Sequence, residues 1–414
     1  MFQGLSTDQA PPISVPFRFF LTAPIFGILI SIVLFIYPIE EVFNRYSAVT
    51  VGLIHLFTLG ILTMIIFGAL QQMLPVLAGA VFKKPLLFAN IVHISLIVGT
   101  LSLSGGFFLS TKSLLVVGTI FLSISFGVFF FILLRLLFKV KYLTSTVSAM
   151  KIFAVAGTIT ALLGLYLAGQ HISGNINEYH LSFVNTHILF ASFGFGIILI
   201  MGVAFQVIPM FYVARDFPKY IQNKFPRVML GMIILSGLFM LLKLDWFASK
   251  LIISILVIVF AYYGINSLNN RRRPVFDVTL WYWKLSFYSL IISQILFIFF
   301  EEQYVLISLI FILGFLYSLL QGMIYKIIPF LSWFHLSSNG HFMIPNLQEY
   351  IDADTIKIQF FIYIASIFFF VLSVFFNQLF LYIASAIFLV SNLIFISNLI
   401  SAILKYRKII GDKK

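Results

Sequence analysis

Three histidines of this 414-residue chain, His55, His93 and His187, fall inside long apolar runs. A titratable ring is costly at membrane depth and marks a functional position by default. Neutral imidazole is also the commonest side-chain ligand of transition metals, haem iron included. His55 stands in Val-Gly-Leu-Ile-His-Leu-Phe-Thr-Leu-Gly, and His187 in Val-Asn-Thr-His-Ile-Leu-Phe-Ala-Ser-Phe-Gly-Phe-Gly. Both lie a short way in from the start of their runs, at similar depth. The plainer account of either one is a histidine that hydrogen-bonds a neighbouring helix; matched depth on two related helices favours ligation. His93 lies at a different depth and reads as a hydrogen-bonding group. His171 and His180 flank Glu178 in the segment before the His187 run, where they could cover a site near it, although loop histidines ordinarily have no special task. His335 and His341 form only a weak metal pattern.

The helices that must position these rings share a stamp. Gly60, Gly68, Gln72 and Pro75 recur as Gly194, Gly202, Gln206 and Pro209, and again as Gly314, Gly322, Lys326 and Pro329. The spacing is the same each time, and the period leaves room for about four membrane crossings per copy. Glycines at such intervals let helices approach closely, and a proline near the interface ends or kinks a helix. Small-residue periodicity alone is common in membrane helices; the shared Gln or Lys and Pro are what set these three apart. Lys326 takes the place of the glutamines and is expected to reach for the interface. Within the stamp, His55 precedes its first glycine by five residues and His187 by seven, an offset of about 200° around a helix. Two separate sites therefore fit ideal geometry better than one shared site, which would need a helical bulge.

Composition fixes the class. The chain is 61% hydrophobic and 9% charged, with 51 Phe, more apolar surface than a soluble domain can hide. The expectation is an all-α integral membrane protein, one transmembrane domain over 1–414. Twelve spans are read at about 18–37, 50–76, 86–109, 114–138, 147–168, 184–212, 228–243, 248–266, 279–299, 304–330, 357–376 and 378–403. They group into three pseudo-repeated four-helix arcs, about 18–138, 147–266 and 279–403. The first 16 residues are polar and lack the marks of a secretory signal. With no cysteine there are no disulfides, thiolate metal sites or iron–sulfur clusters. The net charge of +13 does not indicate nucleic acid, because the basic residues are spread over loops. Only Arg45, Lys112, Lys243 and Lys250 fall on one side of the predicted topology, which places both termini in the cytoplasm. Glu301 and Glu302 begin the tenth span from the opposite side, as a solvated helix start or as a guide for cations.

Twelve spans in three arcs, with a histidine near the outer end of the second and sixth, resemble the catalytic subunits of the heme-copper oxidase superfamily. The segment from His55 through Gly60 and Gly68 to Pro75 is similar to the second helix of shorter relatives, the NnrS-like haem and copper membrane proteins. That resemblance implies a b-type haem on His55 and a copper ligand in His187. The oxidases' further histidines on the seventh and tenth helices have no counterpart in residues 228–243 and 304–330. Proton-pumping oxygen reduction is therefore not expected. What the resemblance implies instead is a bacterial inner-membrane haem protein that handles nitric oxide, redox stress or respiratory metals. Its expected partners are the lipid bilayer, a diatomic ligand and respiratory membrane subunits. The alternative is a permease for a metal ion or small solute, with Gln72 and Gln206 lining its path.

Overall fold

The computed structural model describes residues 10–141, 143–341 and 344–411. All regular structure among them is helical, as a backbone without water to bond demands. Twelve helices are long and apolar enough to cross a bilayer. They are α1 (Ser14–Ile36), α2 (Ala48–Val76), α3 (Pro85–Phe108), α4 (Lys112–Leu137), α5 (Ser145–Ser173), α6 (His180–Tyr212), α7 (Lys219–Leu241), α8 (Phe247–Asn269), α9 (Thr279–Phe299), α10 (Tyr304–Ser338), α11 (Ala353–Phe375) and α12 (Gln378–Gly411). The chain is a multi-pass membrane protein with the expected number of crossings. Its last helix packs against its first and closes the bundle. The face that carries residues 10 and 411 is called proximal here, and the opposite face distal.

Several ends differ from the sequence expectation, because apolar runs mark lipid depth while helices continue past it. The seventh helix starts at Lys219, nine residues earlier than expected. His171 and His180, expected in a loop, are helical: His171 lies in the last turn of α5, and His180 opens α6. Ser47 caps α2 by accepting from the Val49 amide at 3.1 Å, and Thr144 caps α5 through the Val147 amide at 3.2 Å. Gly174 closes α5 at φ 77°, a left-handed turn that glycine enters without strain. The stamped prolines do not end their helices. Pro75, Pro209 and Pro329 lie inside them, and α10 continues nine residues past Pro329.

The stamped helices form the interior. Of their central windows 72% (α2), 78% (α6) and 61% (α10) is buried, and no other span exceeds 50%. Their paired glycines explain why. A Cβ at Gly60 or Gly68 would fall on Phe26 or Phe19 of α1. One at Gly194 or Gly202 would fall on Ala156 or Ala149 of α5, and one at Gly314 or Gly322 on Ser289 or Tyr282 of α9. Each inner helix thus presents bare backbone to two residues, seven apart, on the helix that precedes it. Such contact holds helices together where lipid removes the hydrophobic drive.

Below the glycines the three copies diverge. Gln72 is buried, its side-chain carbonyl without a partner among the described residues. Gln206 is half-buried. Lys326 does not snorkel freely: it is ion-paired with Asp277, and its ammonium lies 5.4 Å from the centre of the Tyr212 ring. Around α10 the core is polar. Gln359 of α11 donates to Gln321 at 2.7 Å and to Ser391 of α12 at 2.8 Å, and accepts from Tyr282. Asn398 of α12 donates to the Tyr325 hydroxyl at 3.0 Å.

The glycine contacts predict a sharp position dependence. Gly202→Ala and Gly322→Ala should each lower thermal stability in detergent, with overpacking costing about 1–3 kcal/mol. Gly127→Ala and Gly231→Ala, which meet nothing within 4 Å, should be neutral or slightly stabilising. Equal melting curves for all four variants would refute this packing.

Candidate functional site

Packing of the inner helices ends short of the distal face. There a cavity of about 960 Å³ opens among them, at the upper end of the range for sites that hold cofactor-sized ligands, roughly 300–1,000 Å³. Its walls are mostly Leu, Ile and Phe. On the inner helices its lining reaches down to Thr63, Phe195 and Leu316. Between α4 and α5 the apolar lining runs out to Phe131 and Leu162, which are exposed on the flank of the bundle.

Each inner helix changes its winding at the floor. Thr58–Thr63 of α2, Phe190–Ile197 of α6 and Ile310–Tyr317 of α10 are π-helical. A π segment widens the helix and shifts the register of what precedes it, and such segments cluster at functional sites. His55 and His187 each stand three residues before their π segment, and Ile307 holds that place on α10. All three line the cavity. The expectation that the two histidines face apart is therefore corrected. The first glycine of the stamp is two residues earlier in the π segment of α2 than in that of α6, and this absorbs the offset.

Both rings are held in the same way. Nδ1 of His55 lies 2.7 Å from the Val51 carbonyl one turn back, and Nδ1 of His187 lies 3.1 Å from the Thr160 carbonyl of α5. A carbonyl only accepts, so each Nδ1 carries the proton and each Nε2 keeps its lone pair. This is the arrangement that orients ligating histidines in metal proteins. The His187 ring lies over Gly164, where a Cβ would come within 3.2 Å of its Cε1. The His55 ring stacks on Phe107 of α3, with centroids 6.1 Å apart and an angle of 19°.

Charged groups ring the mouth. Arg45, just before α2, donates to Asn185 of α6 at 2.8 Å and lies 5.8 Å from the Tyr304 ring at the start of α10, so it joins all three inner helices. Glu301 is ion-paired with Lys250, whose side chain is buried among Trp246, Phe247 and Phe297. Lys250 near the start of the eighth expected span and Glu301 just before the tenth are far apart in sequence, which hides their pairing. Elsewhere, His93 bonds the Thr22 hydroxyl of α1 at 2.9 Å, the hydrogen-bonding role expected of it. His335 lies in the last turn of α10, its buried Nε2 without a partner among the described residues. No cluster of three or more His, Asp or Glu able to hold a metal occurs among the described residues.

The Lys250 pair yields a prediction. Glu301→Gln strands a buried ammonium and should cost about 1–2 kcal/mol of stability, below the figure for fully buried pairs because Glu301 is exposed. The double variant Lys250→Met, Glu301→Gln should recover most of the loss in thermal melts. A double variant as unstable as the single one would count against it. No protein-family model and no curated protein matches the chain.

Proposed function

We propose that the chain binds haem in the distal cavity and handles a diatomic ligand, redox stress or respiratory metal centres in a bacterial inner membrane, without pumping protons. The observation that carries this reading is the pair of bare Nε2 atoms, on His55 and His187, within one apolar chamber. The residues present fit such a group. Apolar walls suit the faces of a macrocycle, imidazoles suit its iron, and the cation of Arg45 at the rim suits carboxylates. With no cysteine in the sequence the haem would be held without thioether bonds, and the resemblance implies that it is b-type. Bound there, it would supply an iron that exchanges electrons or takes a diatomic ligand. The lining that reaches the flank at Phe131 and Leu162 suits a small apolar ligand arriving through lipid.

The wider reading follows the same lines. The repeated contact of each inner helix with the helix before it supports three four-helix arcs and the resemblance to heme-copper oxidases and their NnrS-like relatives. The bias of Lys and Arg supports cytoplasmic termini, with the cavity toward the periplasm. His187 also remains the residue proposed to hold copper. The permease alternative needs a route along Gln72 and Gln206 in the proximal halves of the inner helices, and neither residue lines the cavity.

Protein purified in detergent from haem-replete cells should show a Soret band that shifts on reduction. His55→Ala or His187→Ala should weaken haem retention at least tenfold. Gly164→Val, which crowds the His187 ring, should alter the spectrum, while Gly169→Val should leave it unchanged. A wild-type protein with no Soret band and no bound iron or copper would reject the proposal. Solute uptake by cofactor-free proteoliposomes would point to the permease instead.

A further inference from the structure

A second pair of imidazoles sits at the distal rim. The rings of His171 and His180 are 5.3 Å apart between centroids, at 81°. Two imidazole nitrogens at about 2.0–2.1 Å from one metal ion place their ring centres roughly 5 Å apart. The pair also has a built support. His180 Nδ1 lies 2.6 Å from Oε1 of Gln170, a buried side chain. Gln170 in turn donates to the Tyr166 hydroxyl at 3.0 Å, which also accepts from Asn177 at 2.9 Å. The amide oxygen can only accept, so His180 carries its proton on Nδ1 and offers Nε2. His171 makes no hydrogen bond among the described residues. It lines the cavity, and its ring meets Phe107 edge-on at 5.6 Å, the same Phe107 on which His55 stacks.

We propose that His171 and His180 form a two-imidazole site for a divalent transition-metal ion at the mouth of the cavity, completed by water. Nitrogen ligands without thiolate suit copper(II) and zinc(II), and copper(II) binds the tighter of the two. Glu178, in the segment between the two histidines, is ion-paired with Lys243 at 3.7 Å, and no carboxylate is bonded to either ring among the described residues. The site holds the ion by coordination alone and favours copper(II) over the hard cations magnesium and calcium. Its position, with one ring on the cavity wall, makes it a capture point from which an ion reaches the His55 end of the chamber. The site does not depend on haem at His55 or His187.

The test uses the full-length protein in detergent, freed of any polyhistidine tag and titrated with copper(II) while its electron paramagnetic resonance spectrum is recorded. The expected result is a saturable signal with nitrogen hyperfine structure, which in the His55→Ala, His187→Ala double variant corresponds to one ion per chain. His171→Ala and His180→Ala should each abolish that signal. Gln170→Leu, which frees the His180 ring, should weaken binding about ten- to a hundredfold. Melting curves of the variants without metal show whether each is folded, and His171→Asn serves if the alanine variant is not. Absence of saturable binding in the His55→Ala, His187→Ala background overturns the proposal, and so does binding in that background that survives the further loss of His171 and His180 in a folded variant. Loss of haem binding in the His55 and His187 variants leaves this site standing, so the two readings fail separately.

Discussion

The arrangement rests on backbone contact at paired glycines. In lipid, helices gain nothing by hiding apolar surface from a solvent that is itself apolar. What holds α2, α6 and α10 at the centre is close van der Waals approach to α1, α5 and α9, and in the α10 region a set of hydrogen bonds as well. Two contacts seven residues apart fix both the distance and the rotation of each inner helix, because a single contact would leave it free to pivot. All six contacts fall at or below the level of the π segments. The inner helices are therefore pinned over their proximal and middle portions, and the space between them opens only on the distal side.

The π segments connect that packing to the site. A regular α-helix pinned at its glycines would carry whatever precedes them at a set angle, and His55 and His187 would then point different ways. A wider stretch at the cavity floor lets the preceding turns rotate, at the cost of poorer hydrogen-bond geometry. Thr63 helps to offset that cost by donating to the Thr58 carbonyl at 2.7 Å, and Ser318 plays the same part toward Leu313 at 3.1 Å. Unusual winding and the two imidazoles thus occupy adjacent turns of the same helices.

Much of this was legible in the sequence. Twelve apolar runs gave the number of crossings, because lipid thickness imposes a length that few other structures share. The glycine stamp picked out the three most buried helices, since only glycine permits such close approach. Other features were hidden for physical reasons. The π segments leave no mark in a periodicity read at 3.6 residues per turn. The helical state of His171 and His180 was missed because polar residues beyond the lipid-length run still satisfy a helix. The partner of Lys326 was not legible, because Asp277 lies on another helix boundary and no local pattern announces an ion pair across a bundle.

The third inner helix shows what the site requires. On α10 the place of the histidines is taken by Ile307, and no other imidazole of α10 reaches the chamber. The same helix carries Tyr317, Gln321 and Tyr325, which bond into α11 and α12; at the place of Gln321, α2 has Phe67 and α6 has Met201. These polar side chains of α10 join helices, whereas His55 of α2 and His187 of α6 line the chamber. A helix anchored by several hydrogen bonds in addition to its glycines is the least able to shift. It gives the chamber a fixed apolar wall, opposite which the two histidine-bearing helices present their free nitrogens.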